Sequence, residues 1–311
     1  MQRALILCAD NSRLLLILGL ALGIGAPALA AAMAPYLPEM VAILLVISAF
    51  RIGARPAFGA LSDLRWSLPA VLTLQVALPL VLAFGFWSLG LHQTALATAV
   101  LLAASAPTIT GGASLAIILR QDPARMMQIL VLGTALFPLT VLAVLTAVPT
   151  LGTPALLIEV GLRTLATIVI SAGLGFGLRH WLLPQATQAQ TRAMDGAAIL
   201  FFAIIVIGLM AALGPALRAE PWTALAWTLA AFGLSFGLQA LTLALLGKGA
   251  LAPVAGPLAL AAGNRNIALF LVALPADVMA PLMIFVACWQ LPMYLTPILL
   301  PRLYAHLPAH D

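Results

Sequence analysis

Long apolar runs, separated by short polar breaks, follow one another along the whole chain. The runs are rich in Leu, Ala and Val and do not alternate with period two, so the pattern predicts helices rather than barrel strands. A helix needs about 20 mostly apolar residues to cross a bilayer. On this criterion we predict ten membrane spans, at roughly 14–33, 38–53, 69–90, 93–119, 124–148, 154–178, 196–217, 221–246, 252–275 and 279–301.

The composition indicates that lipid is the solvent of these helices. Hydrophobic residues make up 64% and charged residues 7% of the 311 residues, against about 45–50% and about 25% in soluble domains. So few charges cannot cover so much apolar surface in water, whereas helices in hydrocarbon satisfy their own backbone groups. The sequence therefore predicts an all-α integral membrane protein.

The basic residues indicate how the chain is oriented. With the N-terminus inside, eleven of the 14 Lys and Arg residues fall in inner segments, Arg218 falls in an outer loop, and Arg163 and Arg265 fall within spans. This bias follows the positive-inside rule, so we expect an even number of spans in the cell inner (plasma) membrane, with both termini cytoplasmic. Because they are spread singly, the basic residues suit anionic lipid and not nucleic acid.

Two halves of similar length, 1–152 and 153–311, meet near residues 150–154. Each half holds five predicted spans, and because five is odd the second half enters the membrane from the opposite side. The hydropathy pattern therefore predicts two inverted five-helix repeats. At the N-terminus, Arg3 and Arg13 precede an apolar run that ends at Ala28-Leu29-Ala30, which resembles a cleaved signal peptide. A retained first span gives the more regular architecture.

Both halves carry a helix-breaking cluster in their fourth span. In the span at about 93–119, Pro107 removes a backbone donor, and Gly111-Gly112 cost about 1 kcal/mol each. The span at about 252–275 contains Gly263-Asn264-Arg265-Asn266 between two prolines. Gly and Pro also kink or pack ordinary membrane helices. Two polar clusters at matching positions nevertheless favour a binding site near the midplane, where broken helices of secondary transporters meet.

Arg265 lies deep in the ninth predicted span, where a charge costs at least about 2.5–3.5 kcal/mol. No Asp or Glu is predicted at similar depth, so its neighbours should be carbonyls, water or a bound anion. We expect it to cap carbonyls of the broken fourth span, to bind an anion, or to do both. The expected substrate-binding residues are Arg265, Asn264, Asn266, Thr108, Thr110, Gly111, Gly112 and Ser114.

Few other polar residues fall within the spans. Gln75, Thr134, Gln239 and Gln290 could line a cavity or bond across helices. The four His residues lie in loops or the tail, and the two Cys residues are far apart. We therefore expect no metal site, no cofactor and no enzymatic activity.

Three short motifs resemble those of the bile acid:sodium symporter family, which also has ten spans with broken fourth and ninth helices. They are Gln75-Val76-Ala77-Leu78-Pro79, Thr134-Ala135-Leu136-Phe137-Pro138 and Gly263-Asn264-Arg265-Asn266-Ile267-Ala268-Leu269. The resemblance implies two inverted repeats with crossing broken helices, and it makes Gln75 and Thr134 possible ion-binding residues.

Two departures from this family concern sodium. Where the resemblance implies a Glu and a Gln as sodium ligands in the ninth span, this chain has Ala261 and Arg265. The fourth span reads Gly111-Gly112-Ala113-Ser114-Leu115-Ala116, without the family's Ser-Asn pair after its glycines. Sodium remains possible, but these residues predict transport without it.

The expected function is that of a secondary transporter for a small organic anion. One alternative is an exporter related to the auxin efflux carriers, which share the architecture and do not use sodium. Another is a membrane sensor or scaffold that keeps the fold and transports nothing. Flux into proteoliposomes with and without a sodium gradient separates these functions.

Overall fold

The computed structural model describes residues 1–146 and 154–308, and this part of the chain is mainly helical and contains no β-strand longer than an isolated bridge. The first half contains α1 (Gln2–Asp10), α2 (Ser12–Gly25), α3 (Pro27–Met33), α4 (Leu37–Ile52), α5 (Ala54–Ala60), α6 (Leu64–Leu72), α7 (Leu78–Ser88), α8 (Ala95–Ser105), α9 (Gly112–Ile118) and α10 (Pro123–Leu145). The second half contains α11 (Pro154–Leu182), α12 (Gln188–Leu209), α13 (Leu213–Ala219), α14 (Pro221–Leu246), α15 (Ala252–Gly263), α16 (Phe270–Ala273), α17 (Ala276–Met279), α18 (Met283–Leu299) and α19 (Pro301–Tyr304).

Seven helical segments of the described chain are long and apolar enough to cross a membrane, which makes this a multi-pass membrane protein. They are Pro27–Ile52, Leu64–Ser88, Pro123–Leu145, Ala155–Leu182, Gln188–Ala219, Pro221–Leu246 and Ala276–Leu299. The pair α1 and α2 would add an eighth span, bent by 82°. The predicted fourth and ninth spans are instead pairs of short helices. The predicted junction between the halves, near 150–154, falls on the gap between the described ranges.

The predicted boundary between the first two spans was wrong. We expected spans at 14–33 and 38–53, but α2 ends at Gly25, and a helix from Pro27 continues to Ile52 through a 3-10 turn at Ala34–Tyr36. Pro35 and Pro38 do not interrupt this helix, because each lies in the first turn of its helical segment, where its missing N–H has no helical acceptor.

The N-terminal segment, which also resembled a signal peptide, forms two helices packed along α12. The chain bends at Asn11, whose Nδ2 donates to the Leu7 carbonyl at 2.9 Å. An ion pair between Asp10 and Arg192 ties the end of α1 to α12. The close approach of α2 to α12 requires Gly19, because a Cβ there would lie 2.7 Å from the carbonyl oxygen of Ala203 in α12.

The remaining helices surround two well-buried spans. Of the most apolar 18-residue stretch of α10, and of that in the α17–α18 segment, 56% is buried. The corresponding share is 28% in α11 and in α14. Around this centre, α4 packs along α11, α14 packs against α15 and α18, and α10 packs against α6 and α9. This packing places the two broken spans, α8–α9 and α15–α16, in the interior.

Candidate functional site: the crossing of two broken helices

The two helix breaks predicted from the sequence lie against one another. In one span α8 ends at Ser105, two residues before Pro107, and α9 begins at Gly112. In the other, α15 ends at Gly263. The two extended segments pair antiparallel, with the Ile109 amide donating to the Asn264 carbonyl at 3.0 Å and the Asn266 amide donating to the Pro107 carbonyl at 2.8 Å. Backbone groups freed by one break are therefore satisfied by the other.

The guanidinium of Arg265 joins three spans at this crossing. It is 1% exposed, and it donates from Nε to the Ala262 carbonyl at 3.0 Å, from Nη1 to the Ala106 carbonyl at 3.0 Å and from Nη2 to the Leu74 carbonyl at 2.9 Å. Ala262 and Ala106 lie at the C-terminal ends of α15 and α8, where carbonyls lack helical donors and the helix dipole is negative. The cation thus occupies a site made of carbonyl oxygens.

The third carbonyl is available because span three contains a π-helical turn at Thr73–Ala77. In this turn the amide of Leu78 bonds to the carbonyl of Thr73, five residues earlier. The next bond of that register would run from residue 79 to Leu74, but Pro79 has no N–H. The Leu74 carbonyl therefore needs another donor, and Arg265 supplies it. Such π-turns occur frequently at functional sites.

Buried polar side chains hold the second break in place. Trp289 Nε1 donates to the Arg265 carbonyl at 2.9 Å, and the Ser235 hydroxyl donates to the Gly263 carbonyl at 2.8 Å. The Thr296 hydroxyl donates to Asn264 Oδ1 at 3.2 Å, while Asn264 Nδ2 donates to the Leu260 carbonyl at 2.9 Å. With its partners satisfied in this way, the crossing is a fixed element.

This network reaches beyond the last span. Gln239 Nε2 donates to the Thr296 hydroxyl at 3.3 Å, and the Tyr304 hydroxyl of α19 donates to Gln239 Oε1 at 2.7 Å. Burial raises the pKa of Tyr304 well above its ordinary value, so the phenol remains a hydrogen-bond donor. The end of the described chain is thereby joined to the crossing.

Arg265 has no carboxylate partner in the described part of the chain. The ion pairs found there are Arg51–Asp195, Arg125–Asp63 and Arg192–Asp10. Of the two roles expected for Arg265, its contacts are those of the carbonyl cap. Three of its five N–H groups make these bonds, and the side chain also lines a cavity.

That cavity, which we call the main cavity, has a volume of about 160 Å³ and lies beside the crossing. It is bounded by the first turns of α2, the later part of α4, α9, the middle of α12, the Arg265–Ala268 segment and the later part of α18. Its wall carries three guanidinium groups and one carboxylate, with apolar residues between them. The charged residues are Arg13, Arg51, Arg265 and Asp195.

A second cavity, of about 200 Å³, lies on the other side of α4. It is bounded by α4, α5, α10 and α11, and no charged residue lines it. Ser48, Thr110 and Asn266 line both cavities, so the two meet at the helix breaks.

The structure divides the predicted substrate-binding residues into two groups. The main cavity is lined by Thr110, Gly111, Ser114, Arg265 and Asn266. Neither cavity is lined by Thr108, Gly112 or Asn264. Thr108 and Asn264 bond within the crossing, where the Thr108 hydroxyl donates to the Asn264 carbonyl at 3.2 Å.

Gly112 lies against α10, where a Cβ would collide with the side chain of Met126. Its part in the structure is thus to let α9 and α10 approach closely.

The two possible ion-binding residues do not come together in one cavity. Gln75 is 1% exposed, accepts a hydrogen bond from the Thr140 hydroxyl at 2.9 Å and lines neither cavity. Thr134 lines the second cavity.

Several wall residues were missed by sequence reasoning. Arg13, Arg51 and Asp195 belong to segments that looked like ordinary loop-flanking charges. Tyr294 donates to Gln290 Oε1 at 3.3 Å, and both line the main cavity. Only Gln290 carried a usable signal, as an amide within a span.

No family model matches this chain, and no curated protein is significantly similar to it. Within residues 1–146 and 154–308, no group of three or more His, Cys, Asp or Glu side chains is placed to hold a metal ion.

Proposed function

We propose that this protein is a secondary transporter that moves a small organic anion across the membrane by alternating access. The observation that carries the proposal is the pairing of two broken spans beside a cavity with three guanidinium groups and one carboxylate. A low-dielectric cleft lined mainly by one sign of charge concentrates ions of the opposite sign. The apolar remainder of the wall suits the organic part of such an anion.

The architecture we propose has ten spans in two inverted five-helix repeats, 1–152 and 153–311. Both broken spans are the fourth of their half. A two-fold relation would exchange the first span with the sixth and the second with the seventh. The contacts agree with it, because α1 and α2 pack on α12 while α4 packs on α11. This architecture resembles that of the bile acid:sodium symporter family.

The conformation we propose is open to the cytoplasm. With both termini inside, α2 begins on the inner side and α4 and α18 end there, and these parts of the helices bound the main cavity. Beyond the cavity wall, residues 269–274 are at most 9% exposed. Phe270 packs edge-to-face on Phe137 with ring centroids 5.3 Å apart. Alternating access would require this buried segment to separate from α4 and α11.

We further propose that transport does not use sodium at the crossing. The guanidinium of Arg265 already supplies a positive charge to the carbonyls that meet there. At an effective dielectric constant near 20, a second unit charge about 4 Å away would be repelled by about 4 kcal/mol. This corresponds to an affinity lower by roughly a thousandfold. In this account Arg265 is a tethered cation: its guanidinium, covalently attached to the chain, takes the place of a bound sodium ion at these carbonyls.

Proteoliposome flux tests this function. Purified protein should take up or release a labelled organic anion at the same rate with sodium, potassium or choline outside, at constant ionic strength. A saturable sodium requirement would contradict the tethered-cation account. Flux directed outward only, in intact cells, would favour the alternative of an exporter similar to the auxin efflux carriers. Anion binding without any flux would favour a sensor or scaffold.

A further inference from the structure

The three guanidinium groups of the main cavity differ in what already binds them. Arg51 is paired with Asp195, and Arg265 donates to three carbonyls. An anion that bound Arg51 would meet a charge already offset by Asp195, and one that bound Arg265 would meet a charge already surrounded by carbonyl dipoles. Both groups are therefore poor candidates for the primary contact with a substrate anion.

Arg13 is the exception. It is exposed, it lines the main cavity, and within the described chain it has neither a hydrogen-bond acceptor nor an ion-pair partner. Ser12, which precedes it and lines the same wall, likewise has no hydrogen-bonded side-chain partner in that part of the chain. All five guanidinium N–H groups of Arg13 are therefore free to donate to an acceptor.

The fold places Arg13 at the cavity by bending the chain just before it. The 82° bend at Asn11 directs α1 away along α12, so that the first turn of α2 faces the cavity. The ion pair between Asp10 and Arg192 fixes the end of α1 on the other side of the bend. One turn further along α2, Leu16 and Ile17 continue the same wall as an apolar surface.

We propose that Arg13, with the Ser12 hydroxyl, binds the carboxylate or sulfonate of the transported anion at the inner mouth of the main cavity. The proposal rests on the proposed function. The apolar part of the substrate lies along Leu16 and Ile17 toward the helix crossing. Arg265 then holds the crossing together, and Arg13 determines that the substrate is an anion. A planar guanidinium can donate a hydrogen bond to each of two oxygens of such a group at once.

A binding experiment on the full-length protein in lipid nanodiscs tests this assignment. The probes are benzoate and toluenesulfonate, with benzamide as a neutral molecule of the same shape, and binding is measured by calorimetry. Arg13→Gln should weaken binding of both anions about fivefold, the upper range for a solvent-accessible ion pair. The same substitution should not change the affinity for benzamide.

Arg55→Gln is the matched control. Arg55 is also exposed, lies on the same predicted inner side, has no ion-pair partner in the described chain and lines neither cavity. The Arg55→Gln substitution removes the same net charge but lies outside both cavities, so it should leave the affinity for the anions unchanged. Arg13→Lys, which keeps the charge but not the planar pair of donors, should bind the anions more tightly than Arg13→Gln and less tightly than the wild type.

The outcomes separate the assignment from the proposed function. If the wild-type protein binds neither anion more tightly than benzamide, the proposed function fails. If the wild type prefers the anions but Arg13→Gln and Arg55→Gln bind them equally well, the assignment of Arg13 is wrong while the function stands. A lysine variant as weak as the glutamine variant would also overturn a role based on charge.

Discussion

Replacing Arg265 by alanine would remove three hydrogen-bond donors from the helix crossing at once. The carbonyls of Ala262, Ala106 and Leu74 would lose the donors that the guanidinium provides. A buried polar group left unsatisfied costs about 1–3 kcal/mol, so three such groups cost on the order of 3–9 kcal/mol if nothing relaxes. Because whole domains are stable by about 5–15 kcal/mol, we expect the variant to unfold at much lower temperature than the wild type.

Thermal unfolding of the purified protein in nanodiscs measures this loss. Tryptophan fluorescence is a suitable signal because Trp289 is fully buried and donates to the Arg265 carbonyl. Ethylguanidinium at millimolar concentration should restore part of the lost stability by occupying the space and the carbonyls that the side chain leaves. N-ethylurea, which is uncharged and of similar size, should restore less.

Arg163→Ala is the matched control for this substitution. Arg163 also lies within a span, but it is exposed and has no ion-pair partner in the described chain. Its replacement removes no side-chain hydrogen bond or ion pair of the described chain, so it should not lower the stability. An Arg265→Ala protein as stable as the control, and indifferent to ethylguanidinium, would refute the view that this cation holds the crossing together.

Two further predictions concern the packing and the orientation of the chain. Gly196→Val should lower the unfolding temperature and detach α1, because a Cβ at Gly196 would collide with the Leu5 carbonyl, whereas Gly177→Val in α11 meets nothing within 4 Å and should be tolerated. Reporter fusions at Asp311 and between residues 149 and 154 should report opposite sides of the membrane, as the charge bias requires. Finding both on one side would remove the basis for the inverted repeat.

The helix breaks could be predicted because their cause is local. Pro107 cannot donate a helical backbone hydrogen bond, the glycines that follow it lower helix stability, and the Gly263–Asn266 cluster is similarly unfavourable in a helix. The position of each cluster in its half then indicated that the two should meet. The paired backbone segments agree with that expectation.

The partners of Arg265 could be predicted only in part. Carbonyl capping at the end of α8 was one of the roles expected for it, since helix C-termini always leave free carbonyls. The Leu74 carbonyl was not foreseeable, because it is freed by a π-turn at Thr73–Ala77 that the hydropathy pattern does not reveal.

Arg13 escaped prediction for a different reason. In the sequence it is one of many single basic residues near the ends of spans, and its charge was explained by topology alone. Its place in the cavity wall depends on the bend at Asn11 and on the packing of α1 against α12. These contacts join segments that are far apart in the chain, and a hydropathy pattern gives no information about such contacts.

The central claim is that the main cavity beside the crossing is the path of an organic anion, and filling that cavity tests it most directly. Gly111 lines the cavity, and a Cβ added there meets nothing within 4 Å, so Gly111→Leu should fold normally while occupying the space of the substrate. Gly173→Leu, exposed on α11 with equal room and outside both cavities, is the control. The account predicts that anion flux into proteoliposomes falls at least about tenfold in the Gly111 variant, a change of about 1.4 kcal/mol, and is unchanged in the Gly173 variant. A folded Gly111→Leu protein that transports like the wild type would contradict it.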